Sequence, residues 1–404
     1  MKYIIVLGDG MADEPLKAYG GKTPLQMANI PDIDRLAKLG RCGQLITVPD
    51  SMSPGSEIAN MSVLGYDVEK VFEGRGTLEA ASMGVVLGEG DLALRCNLLC
   101  IEGKHLKNHS AGHISNQEAH ILIDFLNEKL GSEYITFYKG VSYRHLLVIR
   151  GGKKQLDCTP PHDVPGQPFK DYLVKAKSTE ACQTADLIND LIFRSMELLP
   201  SHPVNQKRRA AGKDVANSIW PWSPGYKPQM PTLKEMFGIE RSAVISAVDL
   251  IQGIGVYAGM DVIKVEGATG LYDTNYEGKA RATIGALKDH DLVYLHVEAS
   301  DEAGHEGNVE LKTRTIEYLD RRIVRYLVEE SAKMNEPVTI AVLPDHPTPC
   351  ATTVHTKDPV PFLIFKPGCE PDAVETYDEF SVTKGFYGLL HGSGFMKALL
   401  DPVR

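Results

Sequence analysis

Six side chains of metal-ligand type stand at the ends of short apolar runs. Asp9 follows Tyr3–Leu7 in Gly8-Asp9-Gly10, and Asp301 and His305 follow Leu292–Val297 in Glu298-Ala-Ser-Asp301-Glu-Ala-Gly-His305. Asp345 and His346 follow Val338–Leu343, and His355 comes shortly before Val360–Phe365. Apolar runs of this length without alternation suit strands buried on both faces. In open α/β sheets, ligands bind outside the carboxyl ends of the strands. Residues spread from Asp9 to His355 would therefore converge on one sheet edge. Mixed carboxylate and imidazole donors suit Mn²⁺ or Zn²⁺ and fit poorly with Ca²⁺, which takes oxygen donors. Singly, an Asp after a strand is usually a turn former or helix cap, and Asp301-x-x-x-His305 is a common helical spacing. The joint pattern carries the reading.

A second feature supplies something for such a site to act through. The stretch Asp50-Ser51-Met52-Ser53-Pro54-Gly55-Ser56-Glu57-Ile58-Ala59-Asn60 is rich in small and turn-forming residues and leads into a short helical pattern. A serine at a helix N-terminus has backbone N–H groups aimed at a bound phosphate. Beside a divalent metal it becomes a nucleophile at neutral pH. The plainer alternative is that Ser53 or Ser56 only caps the helix. Other motifs fail. Gly20-Gly21-Lys22-Thr23 imitates the end of a phosphate-binding loop, but Leu16 stands where its first glycine is required. Gly8-Asp9-Gly10 lacks the third glycine of a dinucleotide fingerprint, and no G-x-S-x-G elbow occurs. No nucleotide cofactor is expected.

The elements that must position these residues alternate. Apolar steps at Ile316, Leu319, Ile323 and Leu327 mark a helix within Val309–Glu330, and Thr23–Leu39 is a second, with Pro31 as a break or first-turn residue. Strands alternating with helices imply an α/β, doubly wound core. The middle reads differently. Helices are expected at Ala119–Leu130 and Thr179–Leu199, and a strand at Val141–Ile149. The stretch Pro200–Pro231, with six prolines, two tryptophans and Lys207-Arg208-Arg209, reads as a long connection with a solvated charge run. The simplest organisation is a discontinuous core, 1–90 and 215–404, interrupted by a smaller α+β domain at 91–214.

Composition narrows the partners. Of 404 residues, 43% are hydrophobic and 24% charged, ordinary for a soluble globular chain. Lys and Arg number 43 against 53 Asp and Glu, a net charge of −10 that argues against nucleic acid and anionic membranes. A small phosphorylated substrate is still allowed, because it needs only local cations or a metal. No run of 18 apolar residues is present, so no membrane span is expected. Seven cysteines without a C-x-x-C pair read as reduced thiols in a cytoplasm. Nothing in the sequence sets an oligomeric state.

Taken in order, Gly8-Asp9-Gly10, Pro54-Gly55-Ser56-Glu57-Ile58-Ala59-Asn60, Asp301…His305, Asp345-His346 and His355 with Pro359-Val360-Pro361-Phe362 are similar to one known family. The chain resembles, from Met1 almost to its end, the archaeal type of cofactor-independent phosphoglycerate mutase, which needs no 2,3-bisphosphoglycerate and belongs to the alkaline phosphatase superfamily. The resemblance implies an alkaline phosphatase-like core and two divalent metals, Mn²⁺ first, with Mg²⁺ or Zn²⁺ as alternatives. Asp301, His305 and His355 would hold one metal. Asp9, Asp345 and His346 would hold the other, with Ser56 bridging to it as the phosphorylated nucleophile. Ser56 is preferred to Ser62 because Ser56-Glu57-Ile58-Ala59-Asn60 follows the register Asn-Ser-Glu-Val-Gly-His of the long form of the mutase. Asn60 departs from the histidine of that form.

The implied reaction moves phosphate between the 3- and 2-positions of glycerate through phosphoserine, with the insert closing to exclude water. Substrate residues are expected at Arg144, His109 and His113 in the insert and at Lys279 and Arg281 in the core. An Arg grips a carboxylate bidentately, whereas a His does so weakly and only when protonated. Archaeal mutases tend to carry arginines where this chain has His109 and His113. Two alternatives keep the fold and metals: a phosphotransferase acting on homoserine, whose amino group would call for a carboxylate in the pocket, and a metal-dependent phosphatase with water as acceptor.

Overall fold

The computed structural model describes residues 1–402, which divide into two compact units, 1–72 with 230–402, and 73–229. In the first unit, eight strands among the described residues form one sheet: β1 (Lys2–Gly8), β2 (Arg41–Ile46), β3 (Ser242–Ile245), β4 (Asp261–Val262), β5 (Leu292–Val297), β6 (Val338–Leu343), β7 (Val360–Phe365) and β8 (Gly388–His391). Their order across the sheet is β4-β3-β5-β1-β6-β7-β2-β8. β1 is central, with parallel neighbours β5 and β6 on either side. β7 is reversed, antiparallel to both β6 and β2. That reversal matters for the site, because the start of a reversed strand lies at the edge where its parallel neighbours end. β5 and β6 are buried along their whole length, as their unbroken apolar runs require.

Helices cover the sheet. Val309–Leu319 continues through a π turn, Asp320–Val324, into Arg325–Ser331, placing Ile316, Leu319, Ile323 and Leu327 in the main core. Pro31 occupies the first turn of Pro31–Leu39, where its missing N–H costs nothing. The cap of that helix is remote. Ile33 N–H donates to Asp320 Oδ1 at 2.7 Å, from the π turn. No helix among the described residues is long and apolar enough to cross a membrane.

One buried acid of this unit has a pH consequence. Glu379 accepts from Asp13 N–H at 3.0 Å and from the Thr23 hydroxyl at 2.8 Å, and burial pushes its carboxyl up from 4.5 to about 7. The folded chain therefore keeps a proton that the unfolded chain has released above about pH 4.5. The associated stability is full at low pH and is lost as pH rises through about 7. Glu379→Gln is expected to be more stable than the parent at pH 8, by on the order of 1–3 kcal/mol, and close to it near pH 5. Urea unfolding at the two pH values measures the difference.

The second unit has its own sheet and core. Asp91–Glu102 is its long strand, antiparallel to Arg144–Arg150 and to Ser218–Gly225, with His105–Asn108 turning back on its end. Ile135–Val141 adds beyond Arg144–Arg150. The helix Arg75–Ser82 packs on this sheet, and the strand Ser218–Gly225 belongs to it, so the unit reaches beyond 91–214 at both ends. Three local readings are corrected. The strand expected at Val141–Ile149 is present from Arg144 to Arg150, but Val141 ends the preceding strand and Ser142 and Tyr143 form the turn between the two. The proline-rich stretch contains the helix Pro203–Ala210 and the strand Ser218–Gly225, whose Pro221 and Pro224 are tolerated because it pairs on one side only. Both of its tryptophans are core residues.

The basic triplet is the third correction. Arg208 is only 3% exposed. Its guanidinium meets Glu118 at 2.6 Å and donates to the carbonyls of Ala111 (2.6 Å) and Asp214 (2.8 Å). One arginine thus ties the 108–115 turn to two other segments. Glu118 is part exposed and keeps Ser115, but the Ala111 and Asp214 carbonyls lose their donor, so Arg208→Met is expected to destabilise this unit by about 1–3 kcal/mol. Thermal unfolding checks it.

Candidate active site

Each expected ligand sits where its strand ends. Asp9 follows β1, Asp345 and His346 follow β6, and Asp301 and His305 share one face of the helix Ala299–His305 after β5. His355 precedes the reversed β7 and so arrives at the same edge. Asp9, Asp345 and His346 are fully buried, Asp301 nearly so, and His305 is the most open.

Two groupings result. Asp301 Oδ2 lies 3.2 Å from His305 Nε2, Asp301 Oδ1 lies 3.3 Å from His355 Nε2, and the two imidazole nitrogens face each other at 2.9 Å. Beside them, His346 Nε2 is 3.6 Å from Asp9 Oδ1, 3.4 Å from Asp345 Oδ2 and 3.1 Å from Ser56 Oγ. The His346 and His355 rings stack with centroids 3.9 Å apart, joining the two groups. Gly10 closes the floor with φ at +59°, and a Cβ there would come within 2.6 Å of Asp301 Oδ1 and Thr348 Oγ1. Only glycine fits.

Ser56 is the first residue of the helix Ser56–Val63, whose cap is Gly55. It is therefore not the capping side chain, and the plain alternative is set aside. Its hydroxyl faces His346 at the positive end of the helix. Ser62, on the same helix, is buried against a separate cavity of about 380 Å³ lined also by Ile46, Tyr66 and His391. Asn60 ties Ser56 to Asp345 within the second group. Its Nδ2 donates to Asp345 Oδ2 and to the Ser56 carbonyl, both at 2.8 Å, while Tyr294 donates to its Oδ1 at 2.5 Å.

Charge is concentrated here. Burial first, then Asp345, Glu298 and Asp301, push Asp9 well above the carboxylate range, and burial with Asp301 pushes Glu298 up to about 8. Burial would raise Asp301 as well, but hydrogen bonds from His305 and His355 hold it well below its ordinary value. His305, paired with Asp301, is raised to about 9. Asp9 Oδ1 is buried without a hydrogen-bond partner. An orphaned carboxylate oxygen among imidazole nitrogens and further carboxylates is what a cation would satisfy, and Asp301/His346/His355 and Asp9/Asp345/His346 are both close enough to hold one.

His296 was missed from sequence because it lies inside β5. Its Nε2 is 2.8 Å from Asp9 Oδ2, and its Nδ1 is 3.1 Å from the Ser246 hydroxyl. Asp9, His296 and Glu298 also lie within ligand distance of one another. Burial, with Lys279 next, drives His296 down to about 3, so the ring is neutral. As a neutral ring donating to Asp9 Oδ2, it steadies Asp9 and leaves Oδ1 free.

The substrate candidates fall into two sets. In the second unit, His109, His113 and Arg144 gather round Tyr143, with ring centroids at 5.5 and 6.3 Å for the histidines and the Arg144 guanidinium 6.0 Å from that ring. His162 and Trp222 extend the group. Lys279 and Arg281 differ in their surroundings. Lys279 is fully buried and donates to the His296 carbonyl at 3.1 Å, whereas Arg281 is exposed. Two residues apart on one helix, they point to nearly opposite faces.

A mostly parallel sheet with acids, imidazoles and a helix-initial serine at one edge defines a doubly wound α/β protein with a candidate metal centre. The sequence profile of the 2,3-bisphosphoglycerate-independent phosphoglycerate mutases matches residues 37–205. A mutase of that name from Methanosarcina mazei is 51% identical, over 99% of this chain and 100% of its own length. Among solved structures, a Pyrococcus horikoshii protein superposes with a TM-score of 0.84 at 31% identity, covering 99% of this chain and 96% of its own. A cofactor-independent phosphoglycerate mutase from Thermoplasma acidophilum gives 0.70 at 26% identity, covering 99% of both chains. The chain belongs to the 2,3-bisphosphoglycerate-independent phosphoglycerate mutase family.

Proposed function

We propose that the protein is an isomerase that interconverts 3-phosphoglycerate and 2-phosphoglycerate through a phosphoserine on Ser56. The observation that carries this reading is the Ser56 hydroxyl, placed 3.1 Å from His346 Nε2 at the meeting point of the two ligand groups. Asp301, His305 and His355 would hold one divalent ion, and Asp9, Asp345 and His346, with Ser56, the other. Mn²⁺ suits this mixed nitrogen and oxygen set, with Mg²⁺ or Zn²⁺ as alternatives. Bound divalent cations would polarise phosphoryl oxygens and lower the pKa of the serine hydroxyl.

Ser56 Oγ gives up its proton and attacks phosphorus as the bond to the departing glycerate oxygen breaks, and that oxygen takes up a proton. Glycerate then presents its other hydroxyl, which gives up a proton and recovers the phosphoryl group, while Ser56 Oγ takes a proton back and is freed. No water is consumed. Amide groups at the start of Ser56–Val63 favour the phosphate's negative charge. His109, His113 and Arg144 suit the substrate carboxylate, with Arg144 supplying the permanent charge. Lys279 offsets Glu298 from beneath the strand end.

The test is to give Mn²⁺-loaded protein 3-phosphoglycerate and to follow 2-phosphoglycerate and free phosphate together. Conversion to 2-phosphoglycerate without phosphate release is expected. Free phosphate alone would make the protein a phosphatase. Failure of both, by protein that turns over other phosphate esters, would sink the mutase reading.

A further inference from the structure

Beneath the ligand groups lies a buried polar knot that the reaction itself does not use. Lys312, on the helix Val309–Leu319, is fully buried. Its ammonium pairs with Asp13 Oδ2 at 2.8 Å and donates to the carbonyls of Ala12 (2.9 Å) and Thr348 (2.8 Å). Asp13 Oδ2 also accepts from Cys350 N–H at 3.1 Å. The knot therefore clamps the loop after β1 to the loop after β6. A buried ion pair is a poor source of stability compared with apolar packing, so its presence asks for another reason.

Thr348 supplies one. Its hydroxyl is 2.5 Å from Asp301 Oδ1 and 3.3 Å from His346 Nδ1. A carboxylate only accepts, so the single hydroxyl proton goes to Asp301. The Thr348 oxygen can then only accept from the ring, which places a proton on His346 Nδ1. The lone pair is left on Nε2, the nitrogen that faces Asp9, Asp345 and Ser56. One hydroxyl thus touches a residue of each ligand group and fixes the ligating face of one of them.

We propose that Thr348, held in place by Lys312 and Asp13, is a positioning residue that fixes His346 in its Nδ1–H tautomer and orients Asp301 for cation binding. The inference rests on the reading of these residues as metal ligands. Groups of this kind behind a metal ligand change affinity by about 10–100-fold when removed.

The experiment titrates metal-free full-length protein with Mn²⁺ alone, by calorimetry, in the parent, Thr348→Val, Thr348→Ser and the paired Lys312→Met/Asp13→Asn variant. Thr348→Val keeps the shape and loses the hydroxyl, and is expected to bind Mn²⁺ about 10–100-fold more weakly while still unfolding cooperatively. Thr348→Ser should stay within a few-fold of the parent. Nitrogen NMR of the metal-free imidazoles should show the Nδ1–H form of His346 in the parent and a tautomer mixture in Thr348→Val. Equal affinity and equal tautomers in parent and Thr348→Val would overturn the proposal, whether or not the paired variant folds. A parent that binds no Mn²⁺ would instead overturn the metal-ligand reading on which it stands.

Discussion

Ser56→Ala is expected to lose mutase turnover by at least about 10⁴-fold, because it removes the atom that carries the phosphoryl group between the two halves of the reaction. Metal binding should survive largely intact, since three protein ligands remain in each proposed set. Incubating the parent with 3-phosphoglycerate and mapping phosphoserine by mass spectrometry locates the acceptor within the peptide that holds both Ser56 and Ser62. Ser62→Ala is the control. That side chain faces the cavity beside Tyr66 and His391, away from the ligands, and its loss should leave turnover within a few-fold. Full activity in Ser56→Ala would show that the serine beside His346 is not the nucleophile.

Asp301→Asn is expected to have an effect of similar size. Asp301 meets His305 and His355 through separate oxygens, at 3.2 and 3.3 Å, and accepts the Thr348 hydroxyl. The amide keeps the shape but loses the charge and presents a donor to imidazoles that a cation would otherwise share. One of two bound metal equivalents should be lost and turnover should fall by about 10³-fold or more. Elemental analysis of the dialysed protein reads the first outcome and the 3-phosphoglycerate assay the second. Two full equivalents in the variant would remove Asp301 from the ligand set.

Much of this site is legible in the sequence because strand ends announce themselves. Asp9, Asp301, Asp345 and His346 follow unbroken apolar runs, and a parallel sheet delivers such residues to one edge. His355 is a harder case. It precedes its strand, and reaches that edge only because β7 is reversed, a pairing decided across the sheet rather than along the chain. His296 was silent for another reason. It is the fifth residue of a buried strand and does not interrupt its local pattern. Asn60 was visible only as a departure from the long form's histidine, and its hydrogen bond to Asp345 spans 285 residues. Arg208 misled because two exposed basic neighbours, Lys207 and Arg209, make the triplet look solvated. Its pairing with Glu118 spans 90 residues. The prolines of Ser218–Gly225 concealed a strand whose free edge lets it dispense with their missing N–H groups.

The central place of β1 has a consequence for how the chain is made. Its two neighbours are Leu292–Val297 and Val338–Leu343, so β1 leaves the ribosome long before either of its edges can be paired. The intervening 73–229 unit carries its own core and is complete far earlier. Contacts this distant in sequence form slowly, and an unpaired apolar strand is a template for association with other chains. During synthesis the Ile4–Leu7 stretch is therefore the segment most in need of shelter. A truncation that ends before Val338 should yield a folded 73–229 unit beside an aggregating remainder, rather than half of an active site.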